Sequence, residues 1–379
     1  MNTYDLSFVF PCLNEEETIE FCLNELKSVL DKTGINYEIV VSDNGSTDKS
    51  VQLAQKCGAR VVFADKKGYG EALKAGFAAA RGTYIAFADI DGSYPLAYLP
   101  QMYQTIKQKN ADMVIASRMT GKIEEGAMPF LHRRLGTPVL TFLINLFFRG
   151  HLSDCNSGFR IMKKSAYEGW HVQSGGMEFA SELLIKALKN RASIIEIPAG
   201  LRPDKRTKKP HLKTWRDGMR HLLFIFSESP KVFELTGMGI FGLAVLGQLA
   251  ALLFGEQNIF GFNVLGPHSQ MLFILAAVIG LQSWLFSMFL FIFKPDKPTR
   301  LTRLLMTVKE ENLCLVFATI LLIILAGFIY LVMQWANVHF ANLNMVPFVV
   351  NFLFFSLTLC MGSFGLLCVH ILKRVSNKG

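Results

Sequence analysis

Residues 83–92 read TYIAFADIDG, an apolar run rich in strand-forming side chains that ends on two aspartates two positions apart and a glycine. A short run without polar interruption reads as a strand buried on both faces, because alternation is expected only where one face meets water. The same unit recurs on both sides of this stretch. Upstream lie LSFVFP (6–11) before a helical pattern near 15–32, YEIVVSD (37–43) before one at 46–57, and RVVFAD (60–65) before one at 69–81. Downstream, a helical pattern near 95–108 leads to DMVIAS (112–117). This βαβα rhythm predicts an α/β fold, Rossmann-like, with a mostly parallel sheet covered by helices. Ligands of such sheets gather beyond the carboxyl ends of the strands. The polar residues fall there: Pro11, Asn14 and Glu15; Asp43, Asn44 and Gly45; Asp65 to Gly70; Asp89 and Asp91; Ser117 and Arg118.

The chain has 379 residues, 51% of them hydrophobic, a net charge of +9 and a mean hydropathy of +0.31, which excludes a disordered protein. Its halves differ. Residues 1–221 hold 30 Lys+Arg and 24 Asp+Glu, whereas 222–379 hold only 9 and 6. Four apolar runs, 232–254, 269–293, 313–335 and 346–372, each reach the roughly 20 residues that cross a bilayer as a helix. Lys294, Lys297, Arg300, Arg303 and Lys309 crowd the second connection and Lys373, Arg374 and Lys378 the tail, while 255–267 and 336–345 carry no Lys or Arg. The positive-inside rule then puts both termini in the cytoplasm. The opening MNTYDLSFVFP lacks a basic start and long apolar stretch, which fits a cytoplasmic soluble half. No span carries a central Asp, Glu, Lys or Arg, so the helices read as an anchor, with Glu234 at the interface. Seven cysteines form no CxxC or zinc spacing, as in a reducing compartment.

Neither GxxxxGK[ST] nor an early GxGxxG is present, which removes most support for an ATPase or a nicotinamide enzyme. In their place stand Asp43-Asn44-Gly45-Ser46-Thr47-Asp48 and Asp89-Ile90-Asp91. Two carboxylates two residues apart at a strand end suit a hard divalent cation that takes its other ligands from water and substrate phosphates. Asp48 reads equally as a helix N-cap, Gly68 and Gly70 as turn residues, and Glu178 and Glu182 as one acidic helix face.

With Pro11-Cys12-Leu13-Asn14-Glu15, Gly68-Tyr69-Gly70 and Asp154-Cys155-Asn156-Ser157-Gly158-Phe159-Arg160, these motifs resemble family 2 glycosyltransferases of the GT-A fold. Their order is similar to that of the polyprenyl-phosphate glycosyltransferases, the dolichol-phosphate mannose synthase-like branch. The resemblance covers roughly residues 5–231, and with the apolar runs and the charge pattern it divides the chain into a transferase domain over 1–210, a basic juxtamembrane segment at 211–231 and a four-helix transmembrane domain with a short cytoplasmic tail at 232–379. It implies that Pro11, Asn14, Glu15, Asp43, Asn44, Gly68 and Asp89 bind a nucleotide sugar and that Asp91, with Asp89, holds Mg²⁺ or Mn²⁺. Asp154 joins Asp91 as a catalytic candidate, positioning the acceptor or supporting the developing oxocarbenium. Two departures stand out: Ser93 where some relatives have Gln, and Asn44 where many have a second Asp.

The acceptor side reads from charge beside apolar surface. LGTPVLTFLINLFF (135–148) is too short to span and follows His132-Arg133-Arg134, the pattern of an interfacial helix with a basic collar. Residues 202–220 carry eight Lys+Arg against two Asp just before the first span, without the interleaved aromatics of a nucleic-acid site. Arg118, Arg133, Arg134, Arg202 and Arg206 are therefore expected to bind an acceptor phosphate, apart from the metal site; the resemblance puts a lipid-phosphate arginine at 202 or 206. The expected activity is inverting transfer of a hexose from a UDP-glucose-like or GDP-mannose-like donor to polyprenyl phosphate at the cytoplasmic face of the inner membrane. The bilayer is a partner, nucleic acid is not, and a homo-oligomer is left open. A processive polysaccharide synthase should carry a QxxRW-type motif, but Trp215-Arg216 lacks the Gln. A non-catalytic lipid-carrier partner is disfavoured by the intact Asp89/Asp91 pair.

Overall fold

The computed structural model describes residues 4–207, 214–259, 262–339 and 345–376. It comprises two compact units, Met1–Phe226 and Ser227–Gly379. The first runs β1 (Tyr4–Cys12), α1 (Ile19–Leu30), β2 (Tyr37–Asp43), α2 (Ser50–Lys56), β3 (Arg60–Phe63), α3 (Tyr69–Ala79), β4 (Gly82–Phe87), α4 (Leu99–Gln108) and β5 (Met113–Ser117). It continues with α5 (Thr137–Phe148), β6 (Arg160–Lys163), α6 (Lys164–Trp170), α7 (Phe179–Lys189), β7 (Ile194–Pro198) and α8 (Thr214–Ser227). Among the described residues these strands form one sheet, order β3-β2-β1-β4-β6-β5-β7, parallel except for β6. The expected α/β, mostly parallel architecture is what forms.

Both faces of the sheet are covered. Phe8 and Phe10 of β1 enter one layer with ring centroids 4.6 Å apart, while Val9 enters the other. Helix α1 adds Ile19, Leu23, Leu26 and Leu30 to the first layer, and α4 adds Leu99, Met102, Tyr103 and Ile106, each a three-four stripe. Truncating a buried phenylalanine of this kind costs about 3–5 kcal/mol.

From β1 the chain steps outward to β2 and β3, then returns past β1 to β4. Loops leaving β1 and β4 part in opposite directions, and the crevice between them is where a ligand fits. Strand β6 runs backwards between β4 and β5, so Arg160, paired with Phe87, and the preceding loop 154–159 lie at the same carboxyl edge. The sequence reading assigns no strand to RIMK, which has Arg and Lys at its ends and no apolar run.

The stretch expected as a basic juxtamembrane segment is helical from Thr214. Helix α8 buries Asp217, His221 and Ile225 and exposes Arg216, Met219, Arg220 and Leu223, a second amphipathic element. Residues 208–213 of the basic stretch and 377–379 of the tail lie outside the described residues.

The second unit holds α9 (Pro230–Phe254), a ribbon of β8 (Gln257–Ile259) and β9 (Phe262–Val264), α10 (Pro267–Phe293), α11 (Arg300–Leu305), α12 (Glu310–Asn337) and α13 (Val346–Ser376). Helices α9, α10, α12 and α13 are long and apolar enough to cross a membrane, as the four runs predicted. Helix α12 buries only Leu313 and Ile320, as a lipid-facing helix would. Gln248 Nε2 donates to Gln270 Oε1 (3.2 Å) and Asn351 Oδ1 (3.0 Å), joining three of these helices through amides. Glu234, expected at the interface, is buried and accepts from the Thr299 amide and hydroxyl, both at 2.8 Å.

Candidate active site

The loops after β1, β2 and β3 are tied together by the residues that the sequence nominated for the nucleotide. Asn14 takes φ +57°, tolerable for Asn; its amide donates to Ser46 Oγ (2.9 Å) and its Oδ1 accepts from Thr47 N (2.8 Å). Asp43 accepts from the amides of Gly45 (3.0 Å) and Ser46 (3.1 Å). Asn44 donates to Lys66 O (2.8 Å) and accepts from Gly68 N (2.7 Å). Pro11 is a buried strand residue opposite Ser42. Gly68 sits at φ +142°, and a Cβ there would lie 2.2 Å from Gly175 O, so this turn requires glycine. Asp48 Oδ1 accepts from Ser50 N (2.9 Å) just before α2, and Glu182 accepts from the amides of Gln173 (3.1 Å) and Ser174 (2.6 Å).

Across the crevice, Asp89 Oδ1 accepts from the Tyr69 hydroxyl at 2.9 Å. Burial, aided by the charge of Asp91, pushes its carboxyl up to about 7. Asp91 Oδ1 accepts from Ser93 N (2.9 Å) and Oγ (2.6 Å), so Ser93 orients Asp91. Asp91 Oδ2 faces Arg206 Nη2 at 3.1 Å, and Arg206 Nη1 reaches Glu15 Oε1 at 2.9 Å. Burial raises the Glu15 carboxyl and Arg206 opposes that rise. Arg206 thus bridges the loops after β1 and β4.

On the other side of the edge, Asp154 is fully buried and fully engaged. Its Oδ2 accepts from Arg118 N (3.0 Å) and Nε (2.7 Å), and its Oδ1 from Arg118 Nη2 (2.8 Å) and Asn156 N (3.1 Å). Burial would raise this carboxyl, but the Arg118 guanidinium against it holds it below the usual carboxylate range. Arg118 is 12% exposed and close enough to His132 to add to the lowering that partial burial imposes on that imidazole. Arg133 and Arg134 are exposed in the turn leading into α5. That helix exposes Val139, Phe142 and Leu146, continuing from Phe130, Leu131 and Leu135.

The five arginines expected to form one phosphate pocket fall into two groups. Arg118 stands with the 132–134 turn. Segment 202–207 folds back over the end of β4, with Arg202 N on Ser93 O (2.9 Å) and Lys205 N on Asp91 O (3.1 Å). Arg202 pairs with Glu25 at 2.9 Å, and Arg206 belongs by contact to the carboxylates of the expected metal site. The separation expected between that segment and the metal carboxylates is therefore absent.

The residues fit a divalent cation. Glu15, Asp89 and Asp91 crowd negative charge at the crevice, where Arg206 already stands as a cation against Asp91 Oδ2. Among the described residues no three His, Cys, Asp or Glu groups converge on one metal position. Sequence reasoning quoted Tyr69 and Arg160 inside motifs without giving them a role, and passed over Tyr94 and Glu196. For Glu196 the signal was an acid inside the apolar strand IIEIP.

The model of glycosyl transferase family 2 matches residues 7–170. A hexosyltransferase of low-salt glycan biosynthesis, Agl6 of Haloferax volcanii, is 37% identical over 75% of this chain and 68% of its own. A dolichol-phosphate mannosyltransferase of Pyrococcus furiosus is 28% identical over 63% of this chain and 68% of its own. Glucosyl-3-phosphoglycerate synthase of Mycobacterium tuberculosis, solved with Mn²⁺, UDP and glucosyl-3-phosphoglycerate, superposes with a TM-score of 0.50 at 24% identity over 60% of this chain and 80% of its own, a likeness of fold. Strand-end carboxylates on a GT-A sheet, the matching family model and the 37% identical relative lead to one assignment: the chain is a glycosyltransferase and belongs to glycosyl transferase family 2.

Proposed function

We propose that the protein transfers a hexose from a nucleotide sugar to polyprenyl phosphate at the cytoplasmic face of the cell's inner (cytoplasmic) membrane. The observation that carries this reading is Arg118, fixed by a buried carboxylate beside the basic 132–134 turn, next to the exposed apolar face of α5. A guanidinium beside a lipid-like surface suits a phosphate on an apolar tail. The similarity to a dolichol-phosphate mannosyltransferase and the basic 294–311 connection support the acceptor and the orientation.

The donor occupies the crevice between the loops of β1 and β4. Asp91, with Asp89, would hold Mg²⁺ or Mn²⁺, and Arg206 is the cation that stands against Asp91 Oδ2 where that charge would be needed. The bound ion would neutralise charge on the departing nucleoside diphosphate. Arg118 and the 132–134 turn hold the acceptor phosphate, and Asp154 keeps the Arg118 fork in place. A phosphate monoester with a second pKa of about 6 is largely dianionic at neutral pH, so no base is required. One phosphate oxygen forms the bond to the anomeric carbon as the bond to the diphosphate breaks, and the electron pair leaves with the diphosphate, inverting the centre.

Sugar incorporation into polyprenyl phosphate, assayed across UDP-glucose, UDP-galactose, UDP-N-acetylglucosamine and GDP-mannose, tests this. Arg118→Ala should raise the acceptor KM while leaving donor KM unchanged, since one charge-assisted phosphate contact contributes about 1.5–3 kcal/mol. Lost donor binding with normal acceptor dependence would overturn the acceptor assignment.

A further inference from the structure

Arg160 has the largest of the fully buried side chains, and its guanidinium donates to three backbone carbonyls. Nε donates to Ser157 O (2.8 Å), Nη2 to Cys155 O (2.8 Å) and Nη1 to Ala180 O (3.1 Å). A buried guanidinium whose hydrogen bonds all go to neutral carbonyls is costly, with only the nearby Asp154 charge to offset its burial, so it asks for a reason. The loop it grips offers one.

Residues 154–159 curl around this guanidinium, and every other anchor of the loop fixes a different atom. Glu196 accepts from Ser153 N (2.8 Å) and Asp154 N (3.1 Å). Ser157 Oγ donates to Ala116 O (2.6 Å), and Gly158 N donates to the Tyr94 hydroxyl (2.6 Å). A Cβ on Gly158 would lie 2.5 Å from Asp89 Oδ2, so the loop also touches the donor-side carboxylate. The carbonyls at 155 and 157 lie one and three residues beyond Asp154, and Arg160 holds both.

We infer that Arg160 is a positioning residue: its three-way clamp on the Cys155, Ser157 and Ala180 carbonyls sets the Asp154 carboxylate and, through it, the Arg118 fork that receives the acceptor phosphate. The planar guanidinium is needed because three carbonyls in three directions demand a fork, which a lysine ammonium on a flexible stem cannot reproduce. The third contact ties the loop to α7, whose next residue, Ser181, shares a 2.7 Å hydrogen bond with His221 of α8. The acceptor-side loop is thereby registered against the helix that exposes Arg216, Met219, Arg220 and Leu223.

The inference rests on the acceptor reading of Arg118 and Asp154 proposed above, and the test separates the two. The full-length enzyme is purified in detergent and assayed with undecaprenyl phosphate and whichever of the four nucleotide sugars supports turnover. Arg160→Lys and Arg160→Gln should keep nucleoside diphosphate and Mn²⁺ binding and donor KM within about twofold of wild type while raising acceptor KM about tenfold, as loss of one well-placed charged contact does. Asp154→Asn should raise acceptor KM as well, and Arg160→Lys combined with Asp154→Asn should be no worse than Asp154→Asn alone. Equal damage to donor and acceptor KM, or additive effects in the double variant, would overturn the positioning role. Failure of both Arg160 variants to fold would also overturn it, making Arg160 a stability residue. Unchanged acceptor KM in Asp154→Asn would instead overturn the acceptor reading itself.

Discussion

Arg118 and Arg206 flank Asp89 along the same sheet edge, each against carboxylates, and they are held in opposite ways. Around Arg118 the acid is the interior member: Asp154 is fully buried, its two oxygens accept four hydrogen bonds, and the guanidinium is what remains toward the edge. Around Arg206 two acids come from the crevice itself, Glu15 at 2.9 Å and Asp91 at 3.1 Å, a third, Asp204 at 2.7 Å, comes from its own segment, and that segment folds over the crevice. A carboxylate satisfied on every side serves to hold a positive charge in place. Carboxylates that share one arginine across two loops are a site for positive charge, which a divalent cation can take over. The first arrangement suits a phosphate acceptor and the second a metal-bound diphosphate.

The contrast is sharpened most by Asp91→Ala. Loss of the metal carboxylate should reduce sugar transfer at least about a thousandfold with the fold intact, and chelation should do the same reversibly in wild type. Substantial activity of this variant in metal-depleted buffer would break the donor half of the comparison.

Asp154→Asn comes next. Removing one member of a buried pair leaves Arg118 uncompensated, at about 3–5 kcal/mol. A drop in Tm larger than that of Glu15→Gln, whose partner Arg206 keeps Asp91 and Asp204, is the expected calorimetric result. Equal drops would erase the difference between the two arginines.

Arg206→Ala should act oppositely on the metal. With Asp91 Oδ2 released, Mn²⁺ titrated into the nucleotide-free enzyme should bind several-fold tighter, an effect of about 1 kcal/mol. Weaker Mn²⁺ binding would show that Arg206 supports the metal site rather than competes for it.

The smallest effect is in pH. The Asp154 carboxyl lies below its ordinary value in the folded chain, since Arg118 outweighs burial, and Glu38 lies low as well, its bonds to Ser7 and Arg60 outweighing burial. A lowered folded pKa contributes stability that is present above the unfolded value near ~3.9–4.3 and disappears as pH falls through the folded value. Thermal melts should therefore lose Tm on acidification below about pH 4, and Asp154→Asn should flatten part of that loss. An unchanged acid slope in the variant would mean the pair is not what acid breaks.

Much of the fold could be read from the sequence because the signals are local. Strands β1, β2 and β5 end within a residue or two of the runs LSFVFP, YEIVVSD and DMVIAS, and the four long helices cover the four apolar runs, since burial on both faces or in lipid leaves an unbroken apolar pattern. The aspartates at the end of the β4 run and the family resemblance were legible for the same reason: each motif occupies a few consecutive residues. Helix α8 was passed over because the basic residues around it masked a 3.6-residue stripe, and β6 because RIMK, with Arg and Lys at its ends, lacks the apolar run that marked the equally short β3.

What tertiary structure alone decided is which charges meet. Arg206 lies 115 residues from Asp91 and 191 from Glu15, and Arg118 lies 36 from Asp154. No spacing rule connects such positions, because the contacts arise from the return of the chain across β1, the reversed course of β6 and the folding of 202–207 over the end of β4. Composition and motif determined the sheet, the spans and the kinds of residue at the edge. Loop closure over long separations determined that Asp154 is a buried support and Arg206 a counter-ion, since desolvation and pairing energies exist only once the chain has brought those groups together.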